Sequence, residues 1–136
     1  MNLDKVIPNL WIGSAPEVLP RNFDAIVFAA AEIQPDFGDP PEQLLLYAPL
    51  LDEDIAKDPE QRWWATQTAE RVAHLVRTNR RVLVTCNQGW NRSGLITALA
   101  LRFLDYSTEE AIRLVRAARG EDALGNPSFV KFLEAA

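Results

Sequence analysis

The sequence predicts a single α/β sandwich, on three observations. Three short apolar runs read as buried strands: Phe23 to Ala30, Leu44 to Leu50 and Arg81 to Val84. Stretches of helical periodicity separate and follow them, from Glu60 to Arg77, from Arg92 onward and from Ser107 onward. The length of 136 residues suits one domain, residues 1–136, with a real core and little room for appendages. Strands alternating with helices are the pattern of a layered α/β domain.

Each element has its own local reason. Val6 to Ser14 reads as two short strands about a Pro8-Asn9 turn, with Trp11 a core residue, and it ends at a Gly13-Ser14 break. Phe23 to Ala30 is apolar at consecutive positions, so both faces of that strand are buried, which implies helices on each side of the sheet. The Pro35 to Pro41 loop follows, then the strand from Leu44, whose ladder Pro49 is expected to stop. An acidic loop, Leu51 to Pro59, leads into a helix with Pro59 at its start.

In that helix Trp64, Thr68, Val72, Leu75 and Val76 fall on one stripe, while Trp63 and His74 fall outside it. Trp63 is open between a substrate rim and packing under the Pro35 to Pro41 loop; His74 reads as a surface residue. The segment from Arg92 to Leu104 is apolar on nearly every side, hence a buried helix. Ser107 and Glu110 form a capping box for a helix that turns Arg113, Arg116 and Arg119 outward and stops at Gly120. A short last helix begins at Asn126-Pro127, with Phe129, Phe132 and Leu133 inward.

Bulk properties narrow the chemistry. A net charge of −5 argues against a general nucleic-acid or anionic-membrane surface, whose affinity rests on clustered Lys and Arg. No apolar run approaches membrane-spanning length and Met1 to Lys5 lacks a signal layout, so the expectation is a cytoplasmic protein, acting as a monomer. One cysteine and one histidine predict no metal site and no disulfide. Oxidised Cys86 has no resolving cysteine within the chain.

The informative stretch runs from Val82 to Gly94: a strand, a loop opening at the only cysteine, then the buried helix. A helix N-terminus offers unpaired N–H groups and the positive end of the macrodipole, so the loop ahead of it is built for an anion. Gly89 lets the loop turn inward, and Arg92 can fork two donors onto two oxygens of one phosphate. The same field favours a nucleophilic thiolate at Cys86, and the Ser93 hydroxyl is placed to stabilise that sulfur as a leaving group. A Cys and an Arg six residues apart are, alone, better read as a structural cysteine; Gly89, Ser93, the strand and the helix together reverse that.

Cys86-Asn87-Gln88-Gly89-Trp90-Asn91-Arg92-Ser93-Gly94 resembles the signature loop of the cysteine-dependent protein phosphatases, and most the compact dual-specificity branch. Val6 to Ser14 is similar to that branch's opening hairpin and Asn126 to Phe129 to its C-terminal Asn-x-x-Phe; Thr85 departs from the usual His. The resemblance covers nearly the whole chain. It implies a three-layer sandwich around a mostly parallel sheet of about five strands. It also implies phosphate monoester hydrolysis through a phosphocysteine, with residues 87–92 binding the phosphate and no cofactor.

The resemblance further implies an aspartate general acid about thirty residues before the cysteine. Counting back from Cys86 favours Asp54, whereas the turn after Pro49 favours Asp52; Asp52 is preferred. Asn126 is implied to hold the loops around the site. The substrate is expected to be a phosphorylated protein or small phosphomonoester. The loop's lack of further Lys or Arg disfavours highly phosphorylated inositides. Alternatives are an RNA 5′-triphosphatase-like enzyme, against which the acidic charge counts, and a non-catalytic phosphate-binding module.

Overall fold

A computed structural model describes residues 3–38 and 42–136. Five strands make one sheet: β1 (Leu3–Ile7), β2 (Leu10–Ser14), β3 (Ala25–Ala30), β4 (Leu44–Leu50) and β5 (Val82–Cys86), in the order β1-β2-β5-β3-β4. Only the β1–β2 hairpin is antiparallel; the pairings of β2 with β5, β5 with β3 and β3 with β4 are parallel. The hairpin turns at Asn9, whose φ of 72° is one that asparagine tolerates. β5 lies at the centre, all five of its residues buried, so Cys86 emerges at the carboxyl end of the best-protected strand.

Four helices follow the expected boundaries closely: α1 (Pro59–Arg77), α2 (Arg92–Phe103), α3 (Thr108–Arg119) and α4 (Pro127–Ala135). Asp58 caps α1 by accepting from the Gln61 amide at 3.2 Å, and Ser107 caps α3 by accepting from the Glu110 amide at 3.1 Å. α2 is buried from Arg92 through Leu101 and packs against α1, α3, α4 and strands β2, β3 and β5. It is the helix around which the rest assemble.

The sheet is covered unequally. Leu10, Ile12, Ala25, Val27, Val82 and Val84 join the helices in the main core. The alternate residues Ile26, Phe28 and Leu83 form a second cluster with Leu3, Trp11, Leu19, Phe23, Phe37 and Leu45, and no helical residue enters it. In that second cluster aromatic residues of the connecting segments, Phe23 and Phe37, pack over the strands. Phe28 stacks on Tyr47 at 5.4 Å and meets Phe37 at 5.8 Å, while Trp11 sets its edge on Phe23 at 5.4 Å. Each such ring buries about 150–250 Å², so the rings help bury every residue of β3.

Three local expectations change. Pro49 does not end the ladder, because β4 is an edge strand and the irregularity between Phe28 and Ala30 absorbs the missing donor before Leu50 pairs with Ala30. The inward stripe of α1 is Ala65, Thr68, Ala69, Val72 and Ala73, leaving Trp64 at its half-buried margin. Finally, Arg116 and Arg119 do not face solvent. Arg116 donates to the carbonyls of Ala123 and Leu124, and the Arg119 side chain is only 4 % exposed. The Pro35 to Pro41 loop extends into residues 39–41, which lie outside the described residues.

Thr85, fully buried, donates its hydroxyl to the Val27 carbonyl of β3 at 2.6 Å. Position 85 thus stitches two parallel strands directly before the cysteine. Thr85→Val removes the donor and keeps the shape, so it is expected to destabilise the fold by about 1 kcal/mol in urea unfolding. Unchanged stability would show that the bond contributes nothing.

Candidate active site

The loop from Asn87 to Asn91 connects the end of β5 to the first turn of α2, and both anchors are buried. Gly89 holds it in place. Its φ is +76°, and a Cβ there would lie 2.5 Å from the Gly13 carbonyl carbon and oxygen of β2, so the loop needs glycine on two counts. Among the described residues no acceptor takes a hydrogen bond from the amides of residues 88–92. Those donors are available to an anion at the N-terminus of α2.

A hollow of about 160 Å³ is lined by Asp52, Cys86, Asn87, Gln88, Trp90, Asn91 and Arg92. Cys86 is 3 % exposed, with its sulfur 3.1 Å from the Ser93 hydroxyl. Cys86 and Arg92, six residues apart in the chain, both line this one small space. Trp90, 41 % exposed, stands at the rim, while Trp63 lies elsewhere, its edge on Trp64 at 5.0 Å.

The loop is fastened from three directions. The Asn91 side chain accepts from the Gly125 amide and donates to Asp52, both at 2.8 Å. The Asn126 side chain donates to the other Asp52 oxygen at 2.8 Å and to the Glu53 carbonyl at 2.9 Å. The Leu124 amide donates to the Trp90 carbonyl at 3.1 Å. The segment before α4, the acidic loop and the cysteine loop are thus tied into one assembly, with Asp52 at its centre.

The two candidate aspartates separate cleanly. Asp52 lines the hollow; Asp54 accepts from the Ala56 amide at 3.1 Å as cap of the 3-10 turn Ile55–Lys57 and lies 3.9 Å from Lys57. Asp54 lines a different cavity, between that turn and α4.

Two residues that the sequence reading missed belong to the site. Glu32, just after β3, grips the Arg92 guanidinium with both oxygens: Nη2 donates to Oε2 at 2.6 Å and Nη1 to Oε1, while Nη1 also donates to the Leu50 carbonyl at 3.2 Å. That engages the tip of the guanidinium and aims it from behind. Hydrogen bonding to Glu32, then the charges of Cys86 and Asp52, hold Arg92 above its ordinary value despite the opposing effect of burial. Arg92 in turn holds the Glu32 carboxyl below the usual range. The second missed residue is Arg119, whose Nε and Nη2 donate to the Gly89 and Gln88 carbonyls at 3.2 and 2.5 Å. A carboxylate at a strand end and an arginine in a helix's last turn were the only sequence signals, and both are common on surfaces.

A cysteine at a strand end, a buried arginine and open loop amides surround one anion-sized hollow. The sheet and helices that carry it are the fold of the dual-specificity phosphatases. Among solved structures, a mouse putative dual specificity phosphatase complexed with zinc tungstate is 25% identical over 98% of this chain and 86% of that one, with a TM-score of 0.75. Human DUSP28 is 24% identical over 99% and 94%, at 0.77. A human tyrosine phosphatase-like serine/threonine/tyrosine-interacting protein is 18% identical over 98% and 94%, at 0.76. No protein-family model and no curated protein sequence matches the chain.

The lowered Glu32 carboxyl fixes a pH dependence. Its contribution to stability is fully present above the unfolded-chain value of about 4.3 and is lost as pH falls through the lower folded value. Because the Glu32 side chain is 48% exposed, the pair is worth about 1 kcal/mol or less at pH 7. Glu32→Gln should lose that amount at pH 7 in denaturant titrations and converge with wild type once the pH falls below the lowered folded value. A gap of equal size at both pH values contradicts the assignment.

Proposed function

We propose that the protein hydrolyses phosphate monoesters through a phosphocysteine, as a protein tyrosine or dual-specificity phosphatase. The observation that carries this reading is the placement of Cys86, Arg92 and Asp52 around one hollow at the start of α2. The Cys86 thiolate attacks phosphorus, and the bond from phosphorus to the ester oxygen breaks. Arg92 and the loop amides stabilise the equatorial oxygens, where negative charge is concentrated. Asp52 delivers its proton to the departing oxygen, then takes one from the water that attacks the phosphocysteine. As that bond breaks, the Ser93 hydroxyl stabilises the thiolate it releases.

Asp52 is the general acid in this scheme because it lines the hollow, whereas Asp54 is turned away into a cap. The tungstate of the mouse structure, a tetrahedral oxyanion of phosphate's shape, is a suitable probe for the same chemistry here. The substrate class expected is a phosphorylated protein or small phosphomonoester, since Arg92 is the only cation among the described residues that line the hollow.

The test compares p-nitrophenyl phosphate with phenyl phosphate, whose leaving group is the poorer one. Cys86→Ser should abolish turnover of both. Asp52→Asn should cost about 10²-fold or more, with the larger loss on phenyl phosphate. Asp54→Asn, which keeps a side-chain cap, should stay close to wild type on both. Equal losses in the two Asp variants, or no leaving-group dependence, would remove the assignment of Asp52; no turnover by wild type would leave a phosphate-binding module.

A further inference from the structure

We propose that Arg119 is a positioning residue that turns the phosphate loop's amides toward the substrate. The proposal rests on the phosphatase reading for its functional meaning, though its geometry stands apart from the reacting groups. Arg119 ends α3, thirty residues from the loop, and its side chain is almost wholly buried. It reaches the loop from behind. It does not line the hollow, whereas Gln88 and Trp90 on either side of Gly89 do.

In a planar trans peptide the carbonyl of one residue and the N–H of the next point in opposite directions. Arg119 draws the Gln88 carbonyl to Nη2 at 2.5 Å and the Gly89 carbonyl to Nε at 3.2 Å. The N–H groups of Gly89 and Trp90 are therefore sent away from Arg119, and neither has an acceptor among the described residues. With one planar group holding two successive carbonyls, both peptide planes are set together. A loop of exposed Asn87 and Gln88 side chains, with a glycine at its bend, otherwise has several orientations open to each plane.

Arg119 is itself aimed. Its Nη1 donates to the Asp4 carboxylate of β1 at 2.8 Å, which fixes the fork's orientation and balances a buried cation. The chain of contacts runs from the first strand, through the last turn of α3, to the back of the loop. Gly89 permits the arrangement, since a Cβ there would lie 3.0 Å from the Arg119 Nε as well as against Gly13.

The test measures binding of inorganic tungstate by calorimetry, well below each variant's melting temperature, beside p-nitrophenyl phosphate kinetics. Arg119→Met should weaken tungstate binding about tenfold or more in protein that is still folded. The same variant should raise KM and lower kcat, because the amides hold the oxygens before and during reaction. Arg119→Lys, one point donor in place of a fork, should recover only part of the loss. Asp4→Asn, which leaves the guanidinium intact, should weaken binding in the same direction by less. Should Arg119→Met not fold, Arg119→Lys and Asp4→Asn decide the matter.

The two readings fail separately. Tungstate affinity in Arg119→Lys and Asp4→Asn equal to wild type, even with lowered stability, overturns the positioning role and leaves the phosphatase reading standing. Tungstate binding that depends on Arg119 in a wild type without turnover upholds positioning and removes the enzyme. A wild type that binds no tungstate ends both.

Discussion

Every feature of the site depends on a short stretch of backbone whose polar groups are sorted by direction. Between Cys86 and Arg92 carbonyls are tied to the protein, at Gln88 and Gly89 by Arg119 and at Trp90 by the Leu124 amide, while the amides are left open. Buried carbonyls and amides both need partners, and here the protein supplies one kind and leaves the other for a ligand. The sorting is possible because both ends are immovable: β5 is buried throughout, and α2 is buried from its first residue to Leu101. A loop between two exposed elements would relax toward water and lose the asymmetry.

The charges around this loop are arranged by the same logic of supporting from behind. Arg92 is a buried cation lining the hollow, and Glu32 neutralises it with both carboxylate oxygens. Asp52 is held by two asparagine amides from different segments, so its carboxylate is oriented by groups without charge of their own. Arg119 and Asp4 repeat the pattern one layer further out. Arg92 and Asp52 are each held by partners from distant parts of the chain, whereas Cys86 meets Ser93 from the adjoining helix.

That dependence on distant partners explains what could be read from the sequence. Strands β3, β4 and β5, the Pro59 start of α1, the Ser107 cap of α3 and the loop from Cys86 to Ser93 are local patterns, and the structure places them within a residue or two of expectation. Glu32 was invisible because its meaning lies sixty residues away, in a contact that only the β3–β5 pairing creates. Arg119 was misplaced because helical periodicity assigns a face to a residue's Cα, whereas the last residue of α3 has a long stem that reaches past the helix end. Counting residues could not separate Asp52 from Asp54, which differ only in which way a short loop turns.

Leu124 carries a last consequence. It adopts φ 58°, a left-handed conformation that costs a bulky side chain about 1–2 kcal/mol, yet it is fully buried. A Cβ added at Gly94 would lie 3.2 Å from its side chain, so the leucine fills the space that the missing side chain of α2 leaves. Packing has overruled the backbone's own preference, and the gain sets where Gly125 and Asn126 fall. Positions 94 and 124 therefore behave as a matched pair of volumes: enlarging one demands shrinking the other, and an unmatched change shifts the acidic loop's anchor without touching Cys86, Arg92 or Asp52.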